Sequence, residues 1–335
     1  MNRRDLLQAG LALGACSFAT AALPKSQPAQ ALQTTMIPWL HAGEPLPLAL
    51  HRQPAQGDAV LYVHGATFPC ALSVGWRMHG VSWLDDLQRA GFDAWALDFA
   101  GYGASARPLA FAHASGDAPP FGRHAVAAEQ IAVALRHIRK LRPGVTVHLI
   151  AHSWGTLPAQ QVAIDHPREV ARLVLFGPVV PRSGSAHANP PGAWSLVDEA
   201  AQRPRQRTGL PDGVATPVDE AEIDRWCAAY LASDPSAATR APPSVKVPNG
   251  PAADIAALWA GQSLLDSAEL TQPVLIVRGE WDHVSTDEDA RRLFDSLQAS
   301  ADKRDVKISG GNHWLHLQPR RSALWAQTRS FLMER

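Results

Sequence analysis

Three residues far apart in this chain have the types needed for nucleophilic catalysis: Ser153, Asp282 and His313. A serine hydroxyl is a weak nucleophile until a neutral imidazole accepts its proton. A buried carboxylate then fixes the imidazole tautomer and stabilises the imidazolium that forms. Ser153 stands in Ala151-His152-Ser153-Trp154-Gly155, between an apolar run and a helical pattern that begins at Thr156. A serine at such a strand-to-helix turn is held in a strained conformation with its hydroxyl presented outward. Small residues two places before and after it, here Ala151 and Gly155, avoid clashes with the neighbouring elements. Asp282 closes Gly279-Glu280-Trp281-Asp282 after one apolar run, and His313 closes Gly310-Gly311-Asn312-His313 after the next. Taken singly, each has a plain structural alternative: a serine N-cap, an aspartate turn or helix cap, a surface-loop histidine. Together, at the ends of successive apolar runs, they form a set that accident produces much less readily.

A fourth part is expected where the run at 59–63 meets His64-Gly65-Ala66-Thr67. Gly65 permits a sharp turn there. The backbone N–H of Ala66, with that of Trp154 at the start of the next helix, would face the negative charge that develops during acyl transfer. The Thr67 N–H is the alternative to that of Ala66. His64 is expected to brace this loop. His152, Thr67 and Trp314, beside these turns, are the residues expected to touch substrate, although His152 could instead pack at the turn. Trp154, Trp194, Trp226 and Trp259 are further pocket candidates, with core packing as the alternative for each. His313 and His316 form an H-x-x-H, but no HExxH and no third carboxylate ligand accompanies them, so no metal site is expected.

The elements that must position these residues are visible as short apolar runs at 59–63, 94–99, 145–151, 173–176, 274–277 and 306–308. Runs of this kind read as strands buried on both faces of a mostly parallel sheet. Between them, segments 81–90, 123–140, 156–166, 287–298 and 320–333 carry apolar residues at helical spacing, as with Ile131, Leu135, Ile138 and Leu141. The expected architecture is three-layer α/β. Residues 181–268 break the rhythm: they contain no convincing buried strand, many prolines, and helical candidates at 220–231 and 252–265. They read as a helical cap inserted between a first core part (23–180) and a second (269–335).

The segments VLYVHGA, ALDFAGYGAS, LIAHSWG, VLIVRGEWD and GGNHW resemble the α/β-hydrolase superfamily, in its capped branch with a serine nucleophile. The resemblance runs from about residue 57 to 335. It implies a serine esterase acting through an acyl-enzyme, with the order Ser153, Asp282, His313 that this fold uses, and with no cofactor. The departures are Ala151 at the first glycine of G-x-S-x-G and HGAT in place of the HGGG of many lipases. Ser-Trp-Gly at the elbow is also similar to proline iminopeptidases. In that alternative Glu199, Glu220, Glu222 and Asp224 of the cap would hold a free amino terminus, although the HGGPG loop of that group is absent. A non-catalytic binding protein on the same fold is the remaining alternative.

The 335 residues carry 31 Lys+Arg against 31 Asp+Glu, a formal net charge of zero, with 46% hydrophobic residues. That composition excludes a disordered chain and argues against a nucleic-acid partner, which would call for a basic excess. The expected partner is a small-molecule acyl substrate. Three cysteines are too few for a disulfide scaffold, and whether Cys70 and Cys227 pair is left open. Residues 1–22 read as an export signal: Arg3-Arg4, then an apolar run from Ala9 to Ala19, then Ala19-Thr20-Ala21 as a cleavage site. The arginine pair resembles the bacterial twin-arginine signal, which implies a periplasmic or secreted protein. A general secretory signal is the alternative. Leu13-Gly14-Ala15-Cys16 resembles a lipobox, and lipidation of Cys16 would be the one route to a membrane.

Overall fold

The computed structural model describes residues 32–184 and 192–334. Both the export-signal reading and Cys16 lie outside these residues. Eight strands build the central sheet: β1 (Gln33–Ile37), β2 (Leu48–Gln53), β3 (Ala59–Val63), β4 (Asp93–Leu97), β5 (Val147–His152), β6 (Leu173–Phe176), β7 (Val274–Gly279) and β8 (Lys303–Ile308). Their spatial order is β1-β2-β4-β3-β5-β6-β7-β8. From β4 to β8 every neighbour pair is parallel, while β2 runs antiparallel to both β1 and β4. All positions of β3, β4, β5, β6 and β7 are buried, as expected for strands covered on both faces. Each fully buried Val, Leu or Ile contributes about 1.5–3 kcal/mol relative to exposure.

Helices Trp83–Arg89, His124–Leu141, Thr156–Asp165, Asp287–Ser296 and Arg321–Met333 flank the sheet. Local sequence starts two of them: Ser82 with Asp85 and Thr286 with Asp289 form reciprocal capping boxes. Helix His124–Leu141 buries Ile131, Leu135 and Ile138 of the expected stripe, with Ala127 and Ala134 beside them, whereas Leu141, at the last turn where the helix ends, is 53% exposed. Among the described residues, no helix is long and apolar enough to cross a membrane.

The excursion between β6 and β7 differs from the all-helical expectation. It carries helices Glu199–Gln202, Glu220–Ala232 and Gly250–Trp259, but also an antiparallel pair in which Trp194–Asp198 registers against Ser244–Pro248. The sequence hid these strands because the first is only half-buried and the second ends at a proline. The helix expected over 252–265 begins at Gly250 and stops at Trp259, where Gly261 takes the left-handed conformation (φ 88°) after the cap residue Ala260. The excursion packs onto the loops at the carboxyl ends of the parallel strands. The Trp226 indole donates to the Leu72 carbonyl at 2.9 Å, and Asn312 Nδ2 donates to the carbonyls of Arg205, Gln206 and Thr208 at 3.0–3.2 Å. Cys70 and Cys227 are both buried and free.

Candidate active site

The chain turns sharply at Ser153, which has φ 55°, a conformation that costs an ordinary residue about 1–3 kcal/mol. The turn closes only because its flank is small. A Cβ on Gly155 would lie 2.3 Å from the His64 carbonyl oxygen, whereas Ala151, fully buried in β5, keeps its methyl. The Thr156 hydroxyl donates to the Ser153 carbonyl at 2.6 Å and fixes the start of the following helix.

The structure brings the three sequence-expected residues together. His313 Nε2 lies 2.8 Å from Ser153 Oγ, and His313 Nδ1 lies 3.0 Å from both carboxylate oxygens of Asp282. A carboxylate only accepts, so Nδ1 carries the proton and Nε2 is left to accept from the serine hydroxyl. Asp282 is held by its own loop: Oδ1 accepts the N–H groups of Val284 at 2.9 Å and Ser285 at 2.8 Å. All three residues are buried to within a few per cent of full coverage, so the charges they exchange are poorly screened.

The second loop is built differently from the sequence expectation. Gly65 is not needed for a left-handed turn; it is needed for closeness, since a Cβ there would lie 2.8 Å from Ser153 Cβ. The left-handed residue is Thr67, at φ 77°. Ala66, between them, makes no backbone hydrogen bond through its N–H among the described residues. His64 braces the loop from below. Its Nε2 accepts from the Phe99 N–H at 3.1 Å and its Nδ1–H donates to the Gly65 carbonyl at 2.7 Å, while burial lowers its pKa and keeps it neutral.

Of the residues expected to touch substrate, His152 packs at the turn, the alternative weighed for it from sequence. It is 2% exposed, stacks on Phe176, and its Nε2–H donates to the His313 carbonyl at 3.1 Å. Burial, with His316 and His313 nearby, holds its pKa well below the usual value. The bond to the His313 carbonyl ties the His152 ring to the His313 loop. The Thr67 side chain accepts from Arg205 Nη1 at 3.0 Å. Trp314 is buried against Phe68 and Trp226 in an aromatic cluster joining the core to the excursion. The Trp154 indole is also buried, and its Nε1–H donates to Asp254. Trp194 lies under the Lys246 ammonium and Trp259 under the Arg182 guanidinium.

Two contributors escaped the sequence reading. Gly177, just after β6, has φ 56°, and a Cβ there would come within 3.0 Å of Asp282 Oδ2 and of the His313 ring. Its only signal was a glycine directly following a buried strand. Asp254 of the excursion accepts from Trp154 Nε1, the His124 N–H and Arg123 Nε. Burial works against that carboxylate, but hydrogen bonds from His124, Trp154 and Arg123 outweigh it and hold its pKa below the usual value. Nothing local marks Asp254, because its partners lie more than one element away.

A family model described as "alpha/beta hydrolase fold" matches residues 58–319. Similar solved structures include a bromoperoxidase from Bacillus anthracis, with 16% identity and a TM-score of 0.61, the match covering 91% of this chain and 100% of that one. A hydrolase from Pseudomonas aeruginosa has 18% identity and a TM-score of 0.62 over the same shares. Epoxide hydrolase A from Mycobacterium thermoresistibile has 19% identity and a TM-score of 0.58, covering 90% and 98%. A search of curated protein sequences returns no match. At such identities the structures speak to the fold alone, and their names span different reactions. The family model covers well over half of the sequence, and the chain belongs to the alpha/beta hydrolase fold family.

Proposed function

We propose that the protein is a serine hydrolase that cleaves a carboxylic ester or a related acyl bond. The observation that carries this reading is the contact of His313 Nε2 with Ser153 Oγ at 2.8 Å, backed by Asp282 on Nδ1. In this account Ser153 Oγ attacks the carbonyl carbon while His313 takes its proton. The N–H groups of Ala66 and Trp154 stabilise the oxyanion, a contribution in which one donor is worth about 10²–10³ in rate. Collapse of the tetrahedral intermediate releases the alcohol, protonated by His313. Water, deprotonated by the same imidazole, then hydrolyses the acyl-serine. Ser153 stands where relatives that open epoxides or remove halide through a carboxylate nucleophile would need an aspartate.

The four acids that the aminopeptidase alternative would use for a free amine already hold partners among the described residues. Glu199, Glu220 and Asp224 all bind Arg203, and Glu222 receives the Trp76 indole N–H and Arg225. The test sets p-nitrophenyl esters against aminoacyl p-nitroanilides with wild-type protein and Ser153→Ala. Turnover of the esters that disappears in the variant is expected; exclusive cleavage of the anilides would overturn the reading.

A further inference from the structure

Two arginines one residue apart in the excursion meet opposite fates. Arg203 is ringed by carboxylates: Glu199, Glu220 and Asp224 all accept from it. Arg205 points to the core and has no such partner. Among the described residues, the one hydrogen bond its guanidinium makes is from Nη1 to Thr67 Oγ1 at 3.0 Å. A guanidinium carries five N–H donors and stays charged, so most of its donors and its whole charge are unmatched. It is partly exposed, and the burial of the remainder lowers its pKa. A guanidinium with no carboxylate partner among the described residues, and with donors that solvent can reach, is free to take an anion that enters from outside.

Its position says what that something is. Thr67 follows Ala66, whose N–H is the proposed oxyanion donor, and Gly65, which touches Ser153. On the other side, the Arg205 carbonyl is gripped by Asn312, the residue before His313. The same cap loop meets the acid loop, since a Cβ on Gly209 would lie 2.4 Å from the Trp281 carbonyl oxygen and 3.2 Å from His283 Nδ1. The Arg205 cation also acts on His283, whose ring centroid is 6.2 Å from that of His313. Arg205 is therefore tied to the loops that flank the serine on two sides, through its guanidinium to Thr67 and through its backbone carbonyl to Asn312. Tyr230 acts on the Arg205 charge and stacks on Trp226, which in turn packs against Phe68 and Trp314.

We propose that Arg205 is a substrate-anion subsite: the preferred substrate is an acyl compound that carries a second, ionised carboxylate, bound by the Arg205 guanidinium while its reacting carbonyl sits at Ser153. The flat fork of an arginine matches a carboxylate with two parallel hydrogen bonds. Holding the remote charge positions the carbonyl, so the interaction contributes to transition-state binding and appears in kcat/KM. This deepens the serine-hydrolase reading and rests on it.

The test compares chain-matched pairs of esters: mono-p-nitrophenyl adipate against p-nitrophenyl hexanoate, and the pimelate half-ester against the heptanoate. Wild-type protein is expected to favour the half-esters by about 10- to 100-fold in kcat/KM, the size of a charge-assisted hydrogen-bond pair. Arg205→Met should collapse that ratio towards one or below, and Arg205→Lys should restore part of it. Free adipate should inhibit hexanoate turnover competitively in wild type and much more weakly in Arg205→Met. Equal use of both members of each pair by wild type, or a preference that survives Arg205→Met, would overturn the subsite. If Arg205→Met does not fold, the wild-type ratio and adipate inhibition still decide the question. Absence of any ester turnover would instead strike the serine-hydrolase reading, so the two failures are distinguishable.

Discussion

The indole Nε1–H of Trp154 donates to Asp254 Oδ2 at 3.0 Å, although 100 residues separate them in sequence. Trp154 is the residue after Ser153, and Asp254 sits in helix Gly250–Trp259 of the excursion. The same carboxylate holds Arg123 and His124 at the start of helix His124–Leu141. A single buried acid thus fastens the nucleophile turn, a core helix and the excursion to one another. Asp254→Ala would leave several donors unpaired in the interior and should destabilise the fold by about 3 kcal/mol. Trp154→Phe removes one donor and should cost about 1–2 kcal/mol. Urea denaturation of both variants checks this; an Asp254→Ala midpoint equal to wild type would contradict the fastening role.

Gly177 permits the Asp282–His313 pair to close. Gly177→Ala combines an unfavourable φ with a methyl 3.0 Å from the acid and the imidazole. A displacement of this kind near reacting groups costs about 10²-fold, and it should appear in kcat more than in KM. Steady-state kinetics on one p-nitrophenyl ester measures the split. A rise in KM with kcat unchanged would show that the glycine serves binding instead.

Three buried histidines make the fold acid-sensitive. Burial pushes His316 down to about 3 and His148 down to about 4, and it lowers His152 well below the usual value. In the unfolded chain all three titrate near 6.5. Between the folded and unfolded values the unfolded chain binds protons that the folded chain does not. The contribution to stability is therefore complete above about pH 6.5 and falls as the pH drops towards 4. At pH 5 the loss is about 2 kcal/mol for each of His148 and His316. His316 has no hydrogen-bond partner for either nitrogen among the described residues and lies against the rings of Phe68, Phe176 and His152. His316→Phe should accordingly flatten the pH dependence by one histidine's share. Denaturation midpoints at pH 7.5 and 5 test it, and identical midpoints in wild type would contradict it.

The parts that could be read from sequence are those whose cause is local. The turn at Ser153 needs small neighbours in adjacent positions, and Asp282 and His313 follow the strands that carry them. Strands β3 and β6 coincide with apolar runs because both faces are covered. Strand β1 was invisible, since four of its five residues are exposed, and β2 was missed because it mixes His51, Arg52 and Gln53 into its length. At the other edge of the sheet, β8 extends back to Lys303 through charged, partly exposed residues that an apolar-run criterion discards. The part played by Gly65 was misjudged because closeness between two loops leaves no trace in either loop alone. Asp254, Gly177 and Arg205 were missed for the same reason, since each acts through contacts with segments remote in sequence.

The central claim is that the Ser153 hydroxyl is activated by His313. The most direct measurement is covalent labelling of folded protein with a fluorophosphonate, followed by mass spectrometry of the modified peptide. Stoichiometric phosphonylation at Ser153 is predicted, slowed by at least about 10³-fold in His313→Ala, where the proton acceptor is gone. A folded wild-type protein that resists the reagent, or one labelled equally fast without His313, would contradict the account.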